Sequence, residues 1–195
     1  MIGLGKEYCP VAHPNLPKEE VVTRLMRVFR REGYDGASLA RLSDATGLGR
    51  SSLYHHFPRG KEDMADAVLD LSRARLTRLV LEPLAAGGPV RARLEAMARG
   101  FGEFYGAGRD ACLIELFGVG TTGVQFVPRL TDSIAVLVRA IAAVLIEAGQ
   151  SEDQALRRAE DAVIAIQGSL VLARAGGSTA VFRRILIELP DRLLG

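Results

Sequence analysis

Residues 47–57 read GLGRSSLYHHF. Arg50, Ser51, Ser52, Tyr54, His55 and His56 all fall in this stretch, on fewer than three turns if it is helical. Each can hydrogen-bond and none is acidic. Three chemistries compete for such a set. A glycine-rich start can cradle phosphate, two histidines can hold a metal, and a polar cationic helix face can read an anionic polymer. The phosphate loop lacks the full Walker spacing, and no strand precedes it. The metal site fails on geometry. Neighbours on a helix point about 100° apart, whereas zinc pairs need i, i+3 or i, i+4 spacing. No third ligand is near. A merely packed surface helix accounts for Leu53 and Phe57, which face inward at i, i+4. It does not account for the polar, uncharged or cationic character of every other face.

The elements that must position this stretch read as helices throughout. A flexible arm is expected over 1–16. A first helix over 17–32 carries Val22, Leu25, Met26 and Phe29 as its apolar stripe, with Gly33 as its stop. Ser38 caps a second helix over 38–46 that turns Leu39, Leu42 and Ala45 inward and ends at Gly47. The third helix spans about 50–57 and stops at Pro58. A fourth runs from Lys61 to about 81, with Met64, Val68, Leu71 and Leu79 on one side, and Pro83 and Gly87-Gly88 break the chain. Helices follow at 89–105 and 109–117, then a broken stretch at 118–128. The last three span 129–148, about 152–175 after a capping box at Ser151–Gln154, and 179–189, capped by Ser178. The expected fold class is all-α with about nine helices. No strand alternation is sustained, and there is no internal repeat.

Composition bounds the function. The chain has 195 residues, 48% hydrophobic, enough for a real core. No apolar run reaches the ~18–20 residues of a membrane span. Cys9 and Cys112 are too few and too far apart for a disulfide framework. The N-terminus is too poor in apolar residues for a signal peptide. A protein soluble in the cytoplasm is therefore expected, with no membrane partner. Net charge is +2 but uneven. Residues 1–62 hold ten Lys/Arg against seven Asp/Glu, and residues 63–195 hold fifteen against sixteen. No acidic residue occurs from 45 to 61, which suits a surface facing phosphates. A helix, a glycine turn and a second helix form a helix-turn-helix, whose second helix enters a major groove.

The stretch GYDGASLARLSDATGLGRSSLYHHFPRGKEDM over 33–64 resembles the DNA-binding signature of TetR-type transcriptional regulators. The resemblance covers about a quarter of the chain. It departs from the pattern at Ala37, at Gly49 and Ser51, and in FPRGKE, which holds one residue more than the common spacing. The resemblance implies that Arg50, Ser51, Ser52 and His55 face the groove. It implies that Tyr54, His56 and Lys61 contact backbone phosphates, and that Ser38 and Arg41 touch the flanking strand. It divides the chain into the arm 1–16, a DNA-binding domain over 17–62 and a ligand-binding and dimerisation domain over 63–195. The partners implied are double-stranded operator DNA, a small-molecule effector and a second copy of the chain. The location implied is bacterial cytoplasm, at the nucleoid.

In the helix over 152–175, Leu156, Ala159, Val163, Ile166, Leu170 and Ala173 form a heptad seam. Ile164, Val171 and Leu172 lie off it, and a helix apolar on two sides must be covered twice. One face then packs on the core. The other, with Phe182 and Leu186 of the last helix, packs on a second copy, and Gly168 allows close approach. A fully buried central helix in a monomer is the competing reading. Met97, Phe101, Phe104, Tyr105 and Phe117 gather aromatic and apolar surface. Cys112 and Glu115 sit in CLIELF, and Gln167 in AVIAIQGSL. An apolar cavity with a few polar groups is what a small-molecule site requires; an ordinary hydrogen-bonded core uses the same residues. Cys112 can sense oxidants, although buried cysteines are usually small hydrophobes.

No Ser/His/Asp set, metal-ligand spacing or carboxylate pair converges on one segment. No catalytic residue, metal or cofactor is therefore expected. The leading reading is a repressor released from its operator by an apolar or amphipathic molecule. The alternatives are a co-repressor-dependent regulator, or a helical carrier or enzyme.

Overall fold

The computed structural model describes residues 16–118 and 124–195. All but the last residue of the expected arm, Cys9 included, and the middle of the 118–128 stretch lie outside the described residues. Among the described residues every regular element is helical. They are α1 (Lys18–Gly36), α2 (Leu39–Thr46), α3 (Arg50–His56), α4 (Lys61–Leu76), α5 (Glu82–Ala85), α6 (Val90–Phe104), α7 (Leu113–Gly118), α8 (Val127–Glu147), α9 (Glu152–Gly176) and α10 (Ala180–Leu194). A π-helical turn, Thr77–Leu81, joins α4 to α5 without a break, so the described chain forms nine rods.

The π turn corrects the expected chain break at Pro83. Proline has no N–H for the carbonyl four residues back, and its ring crowds that carbonyl. The helix widens instead. Glu82 N–H reaches the Thr77 carbonyl, five residues back. Leu79, four residues before Pro83, turns its carbonyl towards α6. There it meets Gly100 so closely that a Cβ on Gly100 would lie 1.8 Å from the Leu79 oxygen. Only glycine fits this crossing.

Two cores follow. The first, in the body, joins α6, α8, α9 and α10 with the π turn. The heptad seam of α9 faces it over most of its length: Ala159, Val163, Ile166 and Leu170 are buried in this core and Leu156 partly so, with Ala173 buried beyond it. The second lies in the N-terminal head. It combines Leu25 and Phe29 of α1, Leu42 of α2, Leu53 and Phe57 around α3, and Met64, Ala65 and Val68 of α4. It also takes in Leu113 and Phe117 of α7, Phe126, and Leu130 of α8. Phe117 packs 5.3 Å from Phe29, and Phe126 stands edge-on to Tyr34 at 5.1 Å. The division expected at 62–63 therefore cuts through this core.

Other boundaries shift for local reasons. Gly33 leaves helical geometry at φ 71, ψ 177, and one further turn follows it. Residues 109–112, expected within a helix, are not helical. A 3-10 turn at Gly106–Gly108 precedes them, and α7 starts only at Leu113. α10 continues five residues beyond the expected 189, carrying Pro190 inside it, and Ser178 sits one residue before its N-cap, Thr179.

Candidate nucleic-acid interface and small-molecule cavity

The sequence of α2 and α3 explains their rigid pairing. Ser38 caps α2, its Oγ accepting from Arg41 N–H at 3.3 Å. Gly47 ends α2 in left-handed geometry. The buried Thr46 hydroxyl donates to the Leu42 carbonyl at 2.9 Å and accepts from Leu48 N–H at 3.3 Å. Ser43 Oγ donates to the Leu48 carbonyl at 2.6 Å. These side-chain bonds tie the end of α2 to the turn and so fix the start of α3. Ala37 is fully buried, so a larger capping residue has no room there.

α3 then buries Leu53, with Phe57 just past its end, and leaves the rest outside. Arg50, Ser51, Ser52 and His55 are exposed, as are Ser38 and Arg41 on α2; His56 is half-buried. The His55 and His56 rings stand edge-on, 5.7 Å and 68° apart. Tyr54, 46% exposed, lays its ring against Gly60. The extra residue of FPRGKE resolves here. Gly60 takes φ +68, and a Cβ there would meet the tyrosine ring at 3.2 Å. Lys61 is drawn back rather than extended. Its ammonium lies 4.6 Å from the Tyr34 ring centre and donates to the Asp35 carbonyl at 3.5 Å. Burial lowers its pKa.

Arg59 is a residue that sequence reasoning missed. Its backbone N–H and side chain both donate to Asp63, at 2.7 and 2.6 Å. It reaches Glu62 at 2.9 Å and Asp66 at 3.0 Å as well. The backbone hydrogen bond from Arg59 holds the Asp63 carboxyl below its ordinary range. The signal was legible: acids at 62, 63 and 66 share one helix face. Asp66 in turn accepts from Arg129 of α8 at 2.6 Å, and Arg129 also pairs with Asp70.

Between α4, α6, α8 and α9 lies a mostly apolar cavity of about 70 Å³. Of the residues singled out from the sequence, Phe104, Tyr105, Cys112 and Gln167 line it. Gln167 donates to the Tyr105 hydroxyl at 3.0 Å, and Cys112 Sγ lies 3.7 Å from it. Burial raises the pKa of Tyr105 well above its ordinary value and raises that of Cys112 too. The thiol is therefore protonated at neutral pH, unlike a reactive thiolate. Met97 and Phe101 do not line the cavity; they are fully buried in the body core. Phe117 belongs to the head core, and Glu115 points away to pair with Arg174 at 2.9 Å. The lining missed from the sequence includes Leu69, Ser72 and Arg73 of α4 and Arg129, Ser133 and Ile134 of α8.

On the outer face of α9, Ile164, Val171 and Leu172 are 66%, 48% and 59% exposed, and Gly168 is exposed beside them. Phe182 and Leu186, expected with them, are buried in the body core instead. On α10 the exposed apolar residue is Ile187.

A turn-locked helix pair, with a polar, acid-free second helix on an all-helical body, defines a helix-turn-helix protein. Residues 22–68 match the family of bacterial regulatory proteins, tetR family. The similarity to that family thus lies in the N-terminal module, about a quarter of the chain. The chain is 35% identical over 69 residues to the transcriptional repressor AcnR of Corynebacterium glutamicum, covering 35% of this chain and 36% of AcnR. The match thus spans about a third of the curated relatives' length. A TetR regulator from Legionella pneumophila superposes with a TM-score of 0.77 at 18% identity, over 91% of this chain and 98% of that one. A cysteine mutant of the TetR-family regulator CifR, complexed with 26-bp double-strand operator DNA, superposes at 0.73 with 19% identity, over 92% and 98%.

Proposed function

We propose that the chain is a homodimeric, ligand-responsive transcriptional repressor of the bacterial cytoplasm. The observation that carries this is α3: Arg50, Ser51, Ser52 and His55 all exposed on a helix whose leading turn is tied by the Ser43 and Thr46 hydroxyls. Such a helix fits a major groove, with Arg50 as the side chain able to pair bidentately with guanine. Tyr54, His56, Lys61, Ser38 and Arg41 are read as phosphate contacts around it. The regulator names of the relatives, and the operator complex of a structural neighbour, support the same reading.

The second copy is assigned to the outer face of α9 with Ile187 of α10. Exposed apolar side chains of that size, clustered on one face, mark an association surface. The effector is assigned to the cavity. At about 70 Å³ it is far below the roughly 300–1,000 Å³ that drug-sized ligands occupy. Entry must therefore part α4 from α8. Arg129, which lines the cavity, holds α8 to Asp66 and Asp70 of α4, and Asp66 also holds Arg59 beside α3. An amphipathic molecule with an anionic end suits the lining, because Arg73 and Arg129 are its cations. Drawing Arg129 onto that end would release Asp66 and loosen the turn that carries α3.

The test is anisotropy of labelled duplex taken from just upstream of the coding region. Binding at least a hundredfold tighter than to scrambled duplex is expected, weakened tenfold or more by a matching long-chain carboxylate. Equal binding to both duplexes would overturn the reading. Tightening by the carboxylate would make the protein a co-repressor-dependent regulator.

A further inference from the structure

A second cleft, of about 500 Å³, opens between α1, α4 and the connection from α6 to α7. Six arginines line it: Arg27, Arg30 and Arg31 from α1, Arg75 from α4, Arg109 from the connection and Arg174 from α9. Asp110 is the one carboxylate in the lining. Arg31 pairs with Glu32 and Arg174 with Glu115. Six cations against these three carboxylates leave an excess of three positive charges. Arg27, Arg75 and Arg109 make no ion pair among the described residues. Like charges gathered in a concave, partly dry site repel one another unless an anion joins them.

Arg30 gives the second observation. Its side chain is only 8% exposed, and it reaches Asp110 through one terminal nitrogen. Its Nε is buried and has no hydrogen-bond partner. A buried guanidinium with an unused donor is costly, and a bidentate oxyanion takes Nε and a terminal nitrogen together. Burial also pulls the Arg30 pKa below its ordinary value, against the opposing pull of Asp110. The cleft shares no residue with α2, α3 or the apolar cavity.

We propose that this cleft binds a small polyanion carrying two or three phosphate groups. Its volume suits such a molecule. Arginine forks suit its oxygens, since each can pair two of them at once. The ligand would tie α1 of the head to α4, the α6–α7 connection and α9 of the body.

Calorimetry of the full chain with inorganic triphosphate tests this at fixed physiological ionic strength. One triphosphate per chain is expected, with a rise in melting temperature. The double variant Arg75→Ala/Arg109→Ala, whose side chains make no ion pair among the described residues, should lose affinity at least tenfold and lose the thermal rise. The variant Arg41→Ala/Arg50→Ala, altered only on the reading head, should bind as the parent does. No binding, or equal loss in both double variants, overturns the proposal. So does sodium sulfate at matched ionic strength giving the same heat. If triphosphate fails while Arg75→Ala/Arg109→Ala weakens duplex binding, the cleft is a DNA-backbone contact and the proposal is wrong.

Discussion

Arg129 of α8 and Asp66 of α4 meet at 2.6 Å, and the second oxygen of Asp66 takes Arg59 at 3.0 Å. One carboxylate thus joins the cavity wall to the turn that ends α3. Pairs this exposed contribute about 0–1 kcal/mol each to stability. Their value lies in coupling. Asp66→Asn should leave melting temperature within a few degrees and shift effector-free DNA affinity towards that of the effector-bound protein. It should cut the effector's weakening of DNA binding at least fivefold. Anisotropy titrations with and without effector read this directly; an undiminished response would remove Asp66 from the route.

The proposed DNA contacts separate two kinds of residue. Arg50→Ala should cost about 1–3 kcal/mol on the preferred duplex and flatten base preference at one position. Lys61→Ala should weaken all duplexes alike and slightly lower stability, because Lys61 also stacks on Tyr34. The parent should show log K falling with log salt at a slope of roughly −5 to −9. Even losses across operator variants in both mutants would show that Arg50 reads no base.

Assembly separates two faces that the sequence had merged. Ile164→Asp or Leu172→Asp places a charge on the outer face of α9 and should yield folded monomers. Phe182→Ala should instead leave the dimer intact and cost about 3–5 kcal/mol of stability, as a cavity in the body core. Sedimentation and thermal melts distinguish them. A parent chain that sediments as a monomer at micromolar concentration counts against the dimer.

The crossing of α6 over the π turn gives a paired test. Gly100→Ala drives a methyl group into the Leu79 carbonyl and should destabilise by about 3 kcal/mol or more. Gly102→Ala, two residues on, meets only Leu186 Cδ1 at 3.6 Å. It should stabilise α6 by up to about 1 kcal/mol through helix propensity. Urea melts that rank the two equally would mean α6 sits elsewhere.

The helices were legible because their apolar periods and caps are local signals. Ser38, Gly47 and Ser151 act where the sequence puts them. The π turn was not legible, since Pro83 reads as a breaker unless a neighbour accepts its displaced carbonyl, and Gly100 is that neighbour. A strongly apolar helix does not say which face meets its own chain, so Phe182 and Leu186 read as outward from sequence while the fold buries them. Arg129 escaped notice as one arginine among many. Only the fold brings it to Asp66, sixty-three positions away.

The head core draws on Leu113, Phe117, Phe126 and Leu130, more than fifty residues after Phe57. This has a consequence for the chain's birth on the ribosome. When Phe57 emerges, Phe117 and Phe126, which pack on Phe29 and Tyr34, are still unsynthesised. At about 5–20 residues per second, several seconds pass before Leu130 follows. Through that interval α1 to α4 expose an unfinished apolar face. A nascent chain therefore closes the core beneath α3 only after much of the body has been made, and a chain truncated near residue 70 keeps that apolar face open.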